Sequence, residues 1–172
     1  MSFINQVEAI IQHNEQLDKS DRLDLNQLLK KLVVEGECTF KNVVPHQTKP
    51  VSPLQYGRNV IFQSELYEVV VISMPALIET PIHDHGESDC CAYVVSGLVE
   101  NRCFSLSESA KPLLRATQYY HSGEYFYESS NQIHSMKNPT GKSFTSLHLY
   151  SPPIKNNTIY KTVMNHKSQY LK

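Results

Sequence analysis

The 172-residue sequence has no excess of basic residues, no long apolar run and no signal-peptide pattern. Its formal charge is −1 at pH 7 and it contains no basic block, which gives no support to binding of nucleic acid or of an anionic membrane surface. The most apolar stretch, residues 67–78, is far shorter than the roughly 20 residues of a membrane-spanning helix. The opening segment MSFINQVEAI lacks the basic and apolar regions of a signal peptide.

Cysteine is also scarce, with four residues at positions 38, 90, 91 and 103. Four cysteines in a chain of this length do not make a disulfide framework, so we expect a reducing, cytoplasmic location. The sequence contains no glycine-rich phosphate or dinucleotide loop, and no organic cofactor is therefore expected. With 40% apolar and 19% charged residues, the composition is typical of one globular domain, predicted over residues 1–172.

The first third of the sequence has helical periodicity. Apolar residues recur at helical spacing from Phe3 to Ile11 and again from Leu25 to Val33, the second stripe following a Ser20-Asp21 start signal. These stripes predict a helical segment over residues 1–36 that packs on the rest of the domain. Residues 38–53 contain three prolines and are predicted to be an irregular connector.

The remainder of the sequence is predicted to be β-structure. About nine short segments rich in Val, Ile, Tyr, Phe and Thr follow one another between turn residues. They are NVIFQ, LYEVVVISM, CCAYVVSG, LVENRCFSL, LLRATQYY, EYFYES, IHSMKN, FTSLHLYS and NTIYKTV. This spacing favours a sandwich or small β-barrel over residues 56–163, so the fold class is mainly β with N-terminal helices.

Two histidines in the segment TPIHDHG suggest a metal site. In a strand, His83 and His85 would point to one face and Asp84 to the other, which suits two adjacent positions on one metal ion. A third ligand must come from another part of the chain. The candidates inside predicted strands are His121, His134 and His148.

The segment TSLHLYS places three polar residues at alternate positions. Ser146, His148 and Tyr150 would share one strand face, and the intervening leucines would pack on the other. Buried polar groups must be paired, so a hydrogen-bonded relay from serine through histidine to the tyrosine hydroxyl is predicted.

Parts of the sequence resemble the two motifs of the cupin barrels, G-x5-H-x-H-x3,4-E-x6-G and G-x5-P-x-G-x2-H-x3-N. The histidine pair and Gly97 match the first motif, and Gly123, His134 and Asn138 match the second. The resemblance implies a cupin fold, a small β-barrel or jelly-roll with a site at its mouth.

The sequence also departs from these motifs. Leu77 stands at the first glycine of the first motif, and Ser129 and Asn131 stand at the proline and glycine of the second. Cys90 occupies the position at which cupins carry a metal-binding glutamate. The ligand set would then be three neutral imidazoles with no carboxylate.

Cysteine in place of that glutamate is the pattern of the cysteine dioxygenases, a branch of the cupins. YGRNV, starting at Tyr56, resembles the segment that carries the family's substrate-binding arginine. IHDHGESDC resembles its two-histidine segment with the crosslinking cysteine, and SLHLYSPP its serine-histidine-tyrosine segment. The match runs from Tyr56 to Pro153, with these segments in the family's order.

The resemblance implies an iron-dependent enzyme that oxidises L-cysteine with O2 to cysteine sulfinate (3-sulfinoalanine). Fe(2+) would be held by three histidines, and Arg58 and Tyr56 would hold the substrate carboxylate. The implied iron ligands are His83, His85 and His134. The protein is expected to act as a monomer.

The resemblance also implies roles for four catalytic residues, Ser146, His148, Tyr150 and Cys90. Ser146 and His148 would position Tyr150 beside the metal, so His148 would lie behind the ligands instead of among them. Cys90 and Tyr150 would be joined by the family's thioether crosslink, which would fix the phenol near the iron.

Three other interpretations of the sequence differ in function. One is a thiol dioxygenase for 3-mercaptopropionate, although that branch typically has glutamine at the position of Arg58. The others are a non-catalytic cupin that binds metal or senses thiols, and a zinc-dependent cupin isomerase. Ligand type alone would also allow zinc, copper or nickel instead of iron.

Overall fold

The computed structural model of the chain describes residues 1–161. Within them lie three α-helices and ten β-strands. The helices are α1 (Phe3–Gln16), α2 (Leu25–Val34) and α3 (Phe40–Val43), and a single 3-10 turn spans Val44–His46. The strands are β1 (Gly57–Gln63), β2 (Glu68–Met74), β3 (Ile82–His83), β4 (Asp89–Ser96), β5 (Leu98–Leu106), β6 (Pro112–His121), β7 (Tyr125–Glu128), β8 (Ile133–Lys137), β9 (Phe144–Ser151) and β10 (Ile159–Tyr160).

The strands form two five-stranded antiparallel sheets. The first sheet has the order β1-β2-β9-β4-β7 and the second β10-β3-β8-β5-β6. One apolar core lies between the sheets, with Val70, Ala92 and Val94 from the first packed against Val99 and Met136 from the second. The predicted fold class, mainly β with N-terminal helices, is confirmed.

The helices cover the outer face of the first sheet. Val7 and Ile11 of α1 and Leu28 of α2 share a second core with Val69 and Leu147 of the sheet. The central strands β2 and β9 are therefore buried on both faces. This two-sided burial decides which β9 residues reach the space between the sheets.

The second helix begins later than the sequence pattern predicted. The predicted start signal Ser20-Asp21 lies in a turn, where the Ser20 hydroxyl donates to the Asp21 carboxylate. Asp24 is the N-cap, and its carboxylate accepts from the Gln27 N–H while the Gln27 side chain accepts from the Asp24 N–H. This reciprocal capping box satisfies two N–H groups at once, which explains why the helix starts there.

Three further predictions about secondary structure need correction. The connector predicted to be irregular contains α3 and the 3-10 turn, with the Thr39 hydroxyl capping α3 through the Asn42 N–H. The additional strand is β3, which is too short to give a period-two signal. The segment predicted as NTIYKTV contributes only Ile159–Tyr160 to β10, and residues 162 and 163 lie outside the described part of the chain.

The helices of the described residues are too short or too polar to span a bilayer.

Candidate metal centre

Three histidine side chains meet between the two sheets. One ring nitrogen from each of His83, His85 and His134 lies within 4.8 Å of the others. His83 in β3 and His134 in β8 are paired directly across the second sheet, and His85 follows β3 in the chain. The structure therefore brings together the three histidines that the sequence motifs singled out.

The two neighbouring histidines do not share a strand, contrary to the sequence prediction. β3 ends at His83 because the Asp84 carboxylate folds back to accept from the backbone N–H groups of Gly86 and Thr158. Gly86 has φ +59°, and a Cβ there would lie 2.8 Å from the Lys155 carbonyl oxygen. A tight turn that requires glycine, not strand alternation, thus carries the His85 imidazole back beside His83.

Hydrogen-bond acceptors behind two of the rings fix their tautomers. The Nδ1 atom of His83 donates to the Pro81 carbonyl oxygen at 2.8 Å, and that of His134 donates to the Asn101 side-chain oxygen at 2.9 Å. Carbonyl oxygens accept only, so both Nδ1 atoms carry a proton, and Nε2 is the ring nitrogen left to bind a metal. This is the arrangement that metal-binding imidazoles require.

The remaining ring nitrogens indicate that a cation fits the site. The Nε2 atoms of His85 and His134 are 3.1 Å apart, and the buried Nδ1 of His85 has no hydrogen-bond partner among the described residues. Two nitrogen ligands at about 2.1 Å from one ion and at a right angle would be about 3.0 Å apart. The donor set and its spacing therefore suit a transition-metal ion with imidazole ligands.

Burial keeps these imidazoles uncharged. Desolvation, followed by the neighbouring His134, lowers the pKa of His83 to about 4 and that of His85 to about 2. Both rings are then neutral at pH 7 and available as metal ligands without loss of a proton.

The polar face of β9 forms the predicted network. The Ser146 hydroxyl lies 2.7 Å from Nε2 of His148, and the Tyr150 hydroxyl lies 3.3 Å from its Nδ1. Burial lowers the pKa of His148 to about 3 and raises the pKa of Tyr150 well above its usual value. A neutral imidazole with one donor and one acceptor nitrogen therefore links the serine hydroxyl to a protonated phenol.

Cys90 lies beside Tyr150 on the neighbouring strand. The two residues are directly paired between β4 and β9, and the Cys90 sulfur is 3.7 Å from Nδ1 of His148. Burial raises the pKa of the Cys90 thiol well above its usual value. Cys91 points the opposite way, and its sulfur contacts the Asn26 side-chain oxygen of α2 at 3.0 Å.

Arg58 and Tyr56 line the same cavity as the histidines. This cavity has a volume of about 500 Å³. Tyr56 immediately precedes β1, and Arg58 is the second residue of that strand. Both side chains are partly buried, and burial raises the pKa of Tyr56. The polar residues around the cavity are Tyr56, Arg58, Gln63, Glu68, Thr80, His83, His85, Cys90, His134, His148, Tyr150 and Asn157.

Three buried polar residues of the site were not anticipated from the sequence. Glu68 forms an ion pair with Arg58, and Asn101 and Glu128 lie behind His134. For Glu68 and Glu128 a signal existed, since each shares a strand face with apolar residues at i±2. His121, a candidate third ligand, is exposed at the end of β6 and does not join the site.

Comparison with known proteins identifies both the fold and the family. The family described as cysteine dioxygenase type I matches residues 48–162, a range that contains every residue lining the metal centre.

Solved structures with the same architecture share little sequence with this chain. An uncharacterized conserved protein with a double-stranded β-helix domain from Klebsiella pneumoniae has a TM-score of 0.55 and 17% identity, over 70% of this chain and 95% of that one. TT1209 from Thermus thermophilus has a TM-score of 0.54 and 17% identity, over 66% and 97%. The cupin domain of Schizosaccharomyces pombe Cnp3 has a TM-score of 0.50 and 16% identity, over 57% and 65%. At these identities the likeness establishes the cupin fold.

Proposed function

Because the chain belongs to the cysteine dioxygenase type I family, which matches residues 48–162, we propose that it is an iron(II)-dependent dioxygenase converting L-cysteine and O2 to cysteine sulfinate. The observation that supports this substrate and metal is one cavity that joins three imidazoles to a guanidinium. When bound there, ferrous iron supplies the redox chemistry that lets dioxygen react with a thiol sulfur. Both oxygen atoms end on that sulfur, which gives up four electrons, and the carbon–sulfur bond remains intact.

Different side chains of the cavity bind the metal and the substrate. His83, His85 and His134 hold the metal through their ring nitrogens. Arg58 holds the substrate carboxylate by parallel N–H···O bonds, and the Tyr56 hydroxyl adds a further donor. These contacts fix the thiol close to the metal, which converts an encounter in solution into a reaction between positioned groups.

Tyr150 lines the cavity with its ring centroid 5.2 Å from that of His85, where its hydroxyl would donate a hydrogen bond to the reacting atoms. Its hydroxyl stays protonated because it is buried, and His148 holds it in place. The Ser146 hydroxyl fixes the opposite ring nitrogen of His148 and so selects one orientation of the imidazole. A preorganised donor of this kind stabilises negative charge that develops on oxygen during reaction.

A covalent bond between Cys90 and Tyr150 forms part of the proposal. Their pairing across β4 and β9 brings the sulfur to the tyrosine ring, where a thioether requires loss of the S–H and one ring hydrogen. Dioxygen accepts the two electrons and two protons, giving hydrogen peroxide.

We expect intact-protein mass spectrometry to find a fraction of the aerobically matured enzyme lighter by two hydrogens. Cys90→Ser should abolish that species, while Cys91→Ser, on the opposite strand face, should retain it. A full-mass wild-type protein after turnover with iron and cysteine would contradict the crosslink.

The direct test of function is oxygen uptake by anaerobically iron-loaded protein given L-cysteine or 3-mercaptopropionate, with the product identified by mass. We expect one O2 consumed per cysteine sulfinate, much weaker uptake with 3-mercaptopropionate, and loss of cysteine turnover in Arg58→Ala. The exposed Arg115→Ala serves as the matched control and should retain activity.

Two outcomes would redirect the assignment. A preference for 3-mercaptopropionate, which has the carboxylate but lacks the amine of cysteine, would favour the 3-mercaptopropionate dioxygenase and mean that Arg58 does not make the site selective for cysteine. Bound iron without uptake for either thiol would favour a non-catalytic metal-binding or thiol-sensing cupin.

A further inference from the structure

Glu68 is a buried carboxylate in the cavity to which the proposed reaction assigns no role. It is the first residue of β2 and only 3% exposed. It pairs directly with Tyr150 across β2 and β9, so its side chain lies on the inner face of the sheet. A buried carboxylate is costly unless it is paired, so its partner indicates what it does.

That partner is Arg58. The guanidinium Nη2 donates to Oε1 of Glu68, and within residues 1–161 this is the only hydrogen bond that the Arg58 side chain makes. Arginine has five N–H donors in a rigid planar fork. The contact with Glu68 therefore leaves most of the fork free, and the Arg58 side chain remains 29% exposed toward the cavity.

The strand register explains how the two side chains meet. Arg58 pairs with Ile72 of β2, and Glu68 lies four residues earlier on that strand, with Val70 between them on the same face. The arginine side chain must therefore run along the sheet, past Val70, to reach the carboxylate. Without a partner at residue 68, nothing among its described contacts would hold a long, flexible side chain in this direction.

The charges in the cavity are consistent with Glu68 acting as an anchor that holds Arg58 in place. The Arg58–Glu68 pair has no net charge as a unit, and imidazole ligands, unlike carboxylates, leave the charge of a bound divalent ion uncompensated. A substrate carboxylate can then bind the free N–H groups of Arg58 without separating the pair. If Glu68 instead competed with the substrate carboxylate for Arg58, substrate binding would leave the Glu68 carboxylate buried without a partner. That state is strongly unfavourable.

On the basis of the proposed function, we propose that Glu68 is a positioning residue for Arg58 and that it determines the specificity for thiols with a carboxylate. It anchors Arg58 through Nη2, so that the remaining guanidinium N–H groups face the carboxylate of the substrate. Recognition of thiols that carry a carboxylate then depends on Glu68, whereas recognition of cysteamine, which lacks one, does not.

The test is anaerobic calorimetric titration of the iron(II)-loaded full-length protein with L-cysteine and with cysteamine. Glu68→Ala should weaken L-cysteine binding about tenfold and leave cysteamine binding within about twofold. Glu68→Gln should fall between wild type and Glu68→Ala, because its amide oxygen still accepts from Nη2. The exposed Glu65→Ala, in the same hairpin, is the matched control and should bind both ligands as wild type does.

Steady-state kinetics supply a second readout. For Glu68→Ala we expect the KM for L-cysteine to rise about tenfold while kcat stays within about twofold, with unchanged iron content and circular dichroism. Tighter or unchanged cysteine binding, or equal weakening of cysteamine, would overturn the proposal.

The calorimetric result separates this inference from the proposed function. A wild-type protein that binds L-cysteine through the carboxylate without oxidising it would end the dioxygenase assignment and still support Glu68 as the anchor of Arg58.

Discussion

At the scale of single residues, the orientation of His134 depends on two side chains, one from the adjacent strand β5 and one from β7 in the other sheet. Asn101 in β5 accepts from Nδ1 of His134 and donates its amide N–H to Glu128 in β7. Glu128 is 1% exposed, and its Oε1 lies 3.5 Å from Nδ1 of His134. Because the Asn101 amide nitrogen donates to Glu128, the amide oxygen is the end that faces the histidine. The pair thus secures both the ring angle and the tautomer.

We expect Asn101→Ala to lower the affinity of the protein for ferrous iron about tenfold or more, as is typical when the group behind a metal-binding histidine is lost. The measurement is a competition titration against a chromophoric chelator under anaerobic conditions. The exposed Gln118→Ala on β6 controls for loss of an amide and should bind iron as wild type does. Equal affinities in the two variants, with both folded, would show that the contact does not support the site.

At the scale of elements, two turns have a left-handed backbone at positions where the cupin motifs carry glycine and this chain carries another residue. Leu77, six residues before His83, has φ +64°, and Asn131, three residues before His134, has φ +63°. Glycine stands at both positions in the motifs. Asparagine tolerates this conformation comparatively well, whereas leucine does not, because its Cβ crowds the following carbonyl oxygen. Both turns lead into a strand that carries a metal ligand, so the backbone shape is retained at some cost in stability.

Replacing Leu77 by glycine should therefore raise the free energy of unfolding by about 1 kcal/mol, since the strain is relieved. The Leu77 side chain is 65% exposed, so little burial is lost. The comparison variant is Leu113→Gly, at a 42% exposed position in the regular strand β6, which should instead be destabilised. Urea unfolding followed by circular dichroism measures both, and a lower stability for Leu77→Gly would contradict the strain argument.

At the scale of the whole molecule, sequence periodicity predicted β9 well because that strand is central and covered on both faces. Leu147 and Leu149 face the helices, so Ser146, His148 and Tyr150 had to face inward. The motif spacing likewise identified the three histidines, because cupin-type turns and strands fix their separation along the chain.

The parts that sequence analysis missed depend on pairings between distant segments. β3 contains two residues, too few for any period, and it exists only because it is paired with β8 and β10. Glu68 shares a strand face with Val70, which is a weak signal of burial, but only the register of β2 with β9 places it opposite Tyr150. Ser20-Asp21 and Asp24 are both plausible helix starts locally, and the Gln27 contact decides between them.

Buried neutral histidines also make the stability of the whole molecule depend on pH. Burial lowers the pKa of His85 to about 2 and that of His148 to about 3, whereas an unfolded chain binds these protons at about pH 6.5. The unfolded state therefore takes up more protons as the pH falls, and protons favour unfolding. For metal-free protein we expect the free energy of unfolding to fall below about pH 6.5, by up to about 1.4 kcal/mol per pH unit for each such histidine.

Urea unfolding of chelator-treated protein at pH 7.5, 6.5 and 5.5 measures this loss before most carboxylates titrate. His148→Gln removes one titrating group, so its stability should decline less steeply than that of wild type over the same range, whatever its absolute stability. Ferrous iron should raise the stability of wild type most at pH 7.5, because it binds only the folded site and protons compete for the same ring nitrogens. A wild-type stability that stays constant from pH 6.5 to 5.5, or equal slopes in the two proteins, would mean that these imidazoles are not held neutral by burial.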